Sequence, residues 1–89
     1  MAQPDCKRGI NLAFGRVVVK MRKERGLSQE AFAWDIGSDK KYMSDVELGK
    51  RSVSLGFAAK VAKGFGISIY DLFVLIEKEL ESNECIPKL

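Results

Sequence analysis

Apolar residues return at intervals of three and four along most of this chain, the rhythm of helices that each bury one face. Ile10, Phe14, Val17, Val18 and Met21 share such a face, while Arg16, Lys20, Lys23 and Glu24 fall elsewhere on the wheel. The spacing predicts a first helix, stopped by Gly26. Ser28 then offers a hydroxyl to the free amides of a second helix over 29–36, with Phe32 and Ile36 inward. Gly37 ends it, and Asp39 caps a third helix from Lys40 to about Leu48 with Met43 and Val46 facing in. After a polar loop, Ser54 caps a fourth helix whose expected inner face is Leu55, Ala58, Ala59, Val61, Ala62 and Phe65. Gly66 reads as its left-handed terminus, and Ser68 with Asp71 has the spacing of a capping box that opens a fifth helix reaching about Ser82. Five helices and no alternating strand pattern make the predicted class all-α.

Helix five carries more apolar surface than one core can take. Ile69, Leu72, Phe73, Ile76 and Leu80 cluster on one side, and Tyr70, Val74 and Leu75 fall well off it. The second set predicts a contact with another copy of the chain, with Tyr70, Val74 and Leu75 in the interface. Length points the same way, because a body of 89 residues leaves much of its surface exposed and association is a common route to further burial.

A single domain over residues 1–89 is expected, with its core at about 10–82, the central helix pair at about 29–48, and fraying in the first nine residues and after Ser82. The longest apolar run, Leu72 to Ile76, is far short of the roughly 20 residues a bilayer span needs. The start, Met1-Ala2-Gln3-Pro4-Asp5, lacks the pattern of a secretory signal, so a cytoplasmic location is expected. Cys6 and Cys85 read as reduced, structurally incidental thiols.

Catalysis finds little support. The chain has no histidine, which removes the usual general base and any Cys/His zinc site. Gly49-Lys50-Arg51-Ser52 faintly suggests a phosphate loop, but Ser44 stands where its first glycine belongs and Arg51 where a magnesium-binding hydroxyl belongs. Gly64-Phe65-Gly66 fails as a dinucleotide motif because Ile69 replaces the third glycine. No enzyme activity, cofactor, metal or small-molecule ligand is expected. Charge is more informative: the net value of +3 hides seven basic residues against two acidic ones in positions 1–26, and four acidic against two basic in 77–89. One end of the chain is suited to a polyanion.

Helix two, a glycine turn and helix three form a candidate helix-turn-helix, with Ala33 small enough for close approach and Phe32, Ile36, Met43 and Val46 as its hydrophobic clamp. The run Gly26-Leu27-Ser28-Gln29-Glu30-Ala31-Phe32-Ala33, then Ile36-Gly37, then Glu47-Leu48-Gly49-Lys50-Arg51, resembles the phage repressor and Cro-like (XRE-type) family of DNA-binding regulators, over about Asn11 to Phe73. Trp34, Tyr42 and the loop from Lys50 to Leu55 look like the controller-protein branch that regulates restriction-modification genes. Ser38, Leu48 and Val53 depart from the family's usual apolar turn residue, arginine and proline.

The resemblance implies a compact five-helix repressor-like fold and an autoregulatory regulator that binds a near-palindromic double-stranded operator as a homodimer. Lys40, Lys41 and Ser44 point away from Met43 and Val46, and by similarity Lys40, Lys41 and Asp45 hold base-reading positions. Lysine suits the O6 and N7 acceptors of guanine, and aspartate accepts from cytosine N4. Gln29 is expected at a phosphate, as are Lys50, Arg51 and Ser52; Tyr42 divides between phosphate contact and packing. Arg16, Lys7 and Arg8 read as ordinary solvated charges, and Trp34 as partly buried against a loop. The positions matched by Arg22 and Glu47 form a partly buried ion pair in the family. An antitoxin or phage Cro-like repressor is the nearest alternative, and a protein-interaction module without DNA binding is the alternative of another class.

Overall fold

Loops in this protein hand a polar side chain to the helix that follows. Ser28 accepts from the Ala31 amide at 3.0 Å, Asp39 from Tyr42 at 2.8 Å, Ser54 from Phe57 at 3.0 Å and Ser68 from Asp71 at 3.0 Å. Each such cap is worth about 1 kcal/mol and fixes where a helix begins. The resulting elements are α1 (Cys6–Glu24), α2 (Gln29–Asp35), α3 (Lys40–Glu47), α4 (Leu55–Phe65) and α5 (Ile69–Glu81). The computed structural model describes residues 6–82, with side chains from residue 9 onward, and contains no strand among them. The side chains of Cys6, Lys7 and Arg8, and all of Cys85, lie outside the described residues. Helix α1 begins at Cys6, so the fraying expected up to residue 9 is corrected: residues 6–9 are helical.

The turn between α2 and α3 shows why its glycine is there. Gly37 sits at φ +71°, and this lets its amide reach the Trp34 carbonyl at 3.2 Å while the Ser38 amide reaches Ala33 at 2.8 Å. Those bonds satisfy carbonyls that the end of α2 leaves free and throw the chain directly into the Asp39 cap. Ser38, which departs from the family's apolar turn residue, is held by its backbone and leaves the turn closed.

Packing is organised around α3. Met43 and Val46 are fully buried, α1 and α2 both pack against α3, and α5 backs α1. The Phe32 and Phe65 rings stack at 4.3 Å and join α2 to α4, while the Tyr42 edge meets Phe57 at 4.9 Å. Several inward assignments need correction. Leu55 is 73% exposed and Ala59 is exposed, because α4 buries only the stripe of Ala58, Val61, Ala62 and Phe65. Ile10 lies beyond the core on α1. On α5 only Leu72 and Ile76 are buried, Leu75 and Leu80 pack partly against the core, and Ile69, Tyr70 and Phe73 are exposed. Leu75 stands on the opposite flank of the Leu72–Ile76 stripe from Phe73, so the outward apolar set is Ile69, Tyr70, Phe73 and Val74 rather than Tyr70, Val74 and Leu75.

Gly15 carried no signal in the periodicity. A methyl group there would meet the Val46 carbonyl oxygen and lie 2.7 Å from that of Glu47, so only glycine lets α1 touch the backbone end of α3. Gly15→Ala would normally favour a helix by about 1 kcal/mol. Here the expected outcome is the reverse, a loss of roughly 1–3 kcal/mol from forced separation of the helices, measured by urea unfolding. A stabilised variant would show that α1 and α3 are not in backbone contact.

Candidate nucleic-acid interface

The outer face of α3 is set by its inner one. With Met43 and Val46 pointing into the core, Lys40 and Lys41 stand exposed at the leading turn, and Ser44 and Asp45 are half-buried beside them. Tyr42, the remaining outward residue, lies partly against Phe57 and so is in part a packing residue. Past the end of α3, Lys50, Arg51 and Ser52 are all exposed.

Three of these side chains form one cluster. The Arg51 guanidinium donates through Nε to Asp45 Oδ2 at 3.3 Å and lies over the Tyr42 ring, 5.1 Å from its centre. A proposed base reader and a proposed phosphate contact are thus bonded to each other, which neither side chain's position in the sequence disclosed. Ser52 is tied elsewhere, its hydroxyl accepting from Asn11 Nδ2 of α1 at 3.3 Å.

Glu47 is the other carboxylate of α3, and its setting is different. It is buried and receives Arg22 in a two-pronged contact, Nε to Oε2 at 2.7 Å and Nη2 to Oε1 at 3.1 Å. Gln29 Nε2 donates to the same Oε1 at 2.7 Å, and Arg22 Nη1 reaches the Leu27 carbonyl at 2.8 Å. Planar guanidinium matches planar carboxylate in this geometry, which is why arginine rather than lysine suits the position. The network joins the end of α1, the loop before α2, the first residue of α2 and the last of α3. Gln29, expected only at a phosphate, is thereby also a structural residue.

Trp34 corrects another expectation. It is 83% exposed on the outer side of α2 instead of resting on a loop, because α2 has only seven residues and its single buried face is occupied by Phe32 and Ala33. An apolar cleft of about 580 Å³ opens between α1, the segment 53–58 and α5. Ile10, Leu55, Tyr70, Phe73 and Val74 are among its walls. Among the described residues, no helix is long and apolar enough to cross a membrane.

With two capped helices, a glycine turn and an outward lysine pair in place, the match of residues 18–72 to the helix-turn-helix family model is decisive. The chain belongs to the helix-turn-helix family. Control protein C.MunI from Mycoplasma sp is 48% identical over 71 residues, covering 79% of this chain and 96% of the relative. The restriction-modification controller protein C.AhdI from Aeromonas hydrophila superposes with a TM-score of 0.71 at 36% identity, over 79% of this chain and 100% of that one. The restriction-modification controller protein C.Esp1396I, solved as a tetramer in complex with its natural 35 base-pair operator, gives 0.74 at 26% identity over 81% and 95%.

In this helix-turn-helix protein the buried network makes a direct prediction. The Arg22 and Glu47 side chains are only 11% and 5% exposed, so Arg22→Met or Glu47→Leu alone should cost roughly 3–5 kcal/mol by stranding a charge. The double substitution should recover much of that loss. Unfolding free energies that simply add across the cycle would show that the two residues do not interact.

Proposed function

We propose that this chain is a transcriptional regulator of the controller type, which binds a near-palindromic operator as a homodimer with one α3 helix of each copy in the major groove. The observation that carries the reading is the exposed Lys40–Lys41 pair at the leading turn of a helix pinned from behind by Met43, Val46 and the Glu47 network. Rigid presentation matters because base edges are read by geometry. Lysine donors fit the O6 and N7 acceptors of guanine, and Ser44 extends the same face. Lys50, Arg51, Ser52 and Tyr42 border that face as phosphate donors and make no base contact of their own. Gln29 has two amide hydrogens, of which one serves Glu47 and the other remains for a phosphate.

Self-association is supported by the cleft and its rim, where Ile10, Leu55, Tyr70 and Phe73 stay exposed in the single chain. A two-fold axis through this face would set two α3 helices about 34–36 Å apart, one turn of duplex. The tetramer in which C.Esp1396I meets its operator is a precedent for pairing of this kind. Dimerisation linked to binding makes occupancy depend steeply on protein concentration, which suits an autoregulatory switch without catalysis or cofactor. Such a regulator works beside the genome, in the cytoplasm.

Selection of bound duplexes from a random pool tests the reading, with recovery of a symmetric site as the expected result. On that site, Lys40→Ala and Lys41→Ala should each cost about 1–3 kcal/mol while hardly affecting scrambled duplex. An unchanged operator-to-scrambled ratio in both variants would remove α3 as the sequence reader. Leu55→Glu combined with Tyr70→Glu changes two side chains that are each 73% exposed, so helical content should persist while sedimentation shifts from dimer to monomer. A wild type that sediments as monomer at tens of micromolar, roughly the range of weak association, would exclude the dimer.

A further inference from the structure

The bond between Asp45 and Arg51 places opposite charges on the surface assigned to DNA, and each has a different partner there. Asp45 lies on the reading face of α3, its side chain 21% exposed; Arg51 lies in the following loop, its side chain 50% exposed and stacked on Tyr42. A carboxylate facing a duplex is repelled by phosphates and gains only where a base presents a hydrogen-bond donor. In the major groove those donors are the exocyclic amino groups of cytosine and adenine. An arginine bound to a carboxylate is, for the same reason, partly spent before any phosphate arrives.

We propose that Asp45 and Arg51 form an exchange switch that determines specificity, resting on the DNA-binding reading above. On a duplex lacking an amino group opposite Asp45, the pair stays closed, the carboxylate keeps its counter-charge and Arg51 adds no phosphate contact. On the operator, a cytosine or adenine amino group takes over the Asp45 carboxylate, and Arg51 turns from Asp45 to a neighbouring phosphate. One matched base pair thereby gains two contacts, and a mismatch loses both. Tyr42 supports the movement by giving the guanidinium a ring face to lie on in the closed state. Asp45 is a direct reader in this scheme, and also the residue that positions Arg51.

The decisive experiment is titration of the wild type, Asp45→Asn, Arg51→Ala and the double variant against a selected operator and a scrambled duplex at several salt concentrations. Asparagine keeps the shape of aspartate, and Arg51→Ala opens the same pair from the other side, so the switch is tested by two independent changes. Asp45→Asn should tighten scrambled DNA about tenfold near 0.1 M salt and steepen the salt dependence by about one released counterion, because Arg51 becomes free to grip. The operator should gain no such contact, so discrimination falls by about the same factor. Arg51→Ala should weaken the operator about tenfold yet leave scrambled DNA nearly unchanged, and when combined with Asp45→Asn it should abolish the gain on scrambled DNA. If Arg51→Ala weakens both duplexes equally in the wild-type background, or Asp45→Asn leaves the ratio and the salt slope as they were, the switch is overturned while the regulator reading stands. A wild type that prefers no duplex overturns the regulator reading itself, and the switch with it.

Discussion

The Glu47 carboxylate is the point on which the helix-turn-helix depends. A charge this buried is tolerated only when its oxygens are occupied, and here Arg22 and Gln29 occupy them from two other helices. Hydrophobic contact alone leaves short helices free to slide and rotate on one another, and α2 and α3 have only seven and eight residues. Directional hydrogen bonds remove that freedom. Gly15 acts in the same place by different means, allowing the α1 backbone to approach the carbonyls of Val46 and Glu47. Together they fix the rotation of α3 about its own axis, and that rotation decides which side chains reach outward.

Two carboxylates on one eight-residue helix thus have opposite fates. Glu47 at the last position is enclosed by a fork and an amide, whereas Asp45, two residues earlier, has a single arginine nitrogen at 3.3 Å and remains partly in solvent. The first arrangement is too costly to open and serves the scaffold. A lone bond on a half-exposed surface is worth little in water, so it is open to competition by a base or a phosphate. Both residues are acids in the same helix, and the difference between them arises entirely from what the tertiary fold brings alongside.

That distinction also explains what was legible beforehand. The serine and aspartate caps, the glycine turn and the periodicity are local signals, and they placed α2 to α5 to within a residue or so. Burial at the margins was not local. Leu55, Ile69 and Phe73 have the right period for a core, yet helices this few and mostly short enclose too little volume to receive them. Leu75 was set apart by the wheel but sits on the flank where it meets the core. Trp34 is exposed for a related reason, since no neighbouring loop comes near enough to cover it. Neither Gly15 nor the Asp45–Arg51 bond was detectable at all, because each depends on a partner whose approach no spacing records. The Arg22–Glu47 pair and the proposed reading roles of Lys40 and Lys41 came from family resemblance; the structure contains the pair and leaves both lysines exposed on α3.

The narrow core has a further consequence for how binding and assembly connect. Apolar surface that the single chain leaves exposed is worth roughly 25 cal/mol per Å² when covered, which is the driving force for the proposed pairing at the cleft beside α5. Its walls include Ile10 and Phe14 of α1, and α1 is also the helix that carries Gly15 and Arg22 to α3. One continuous helix therefore runs from the apolar cleft to α3. A helix of 19 residues with hydrogen bonds and backbone contact at the α3 end has little freedom to bend between the two surfaces. In the proposed dimer, whatever orientation two copies adopt across the cleft would be passed to their α3 helices without an intervening hinge, and the spacing at which the pair meets a duplex would become a property of α1.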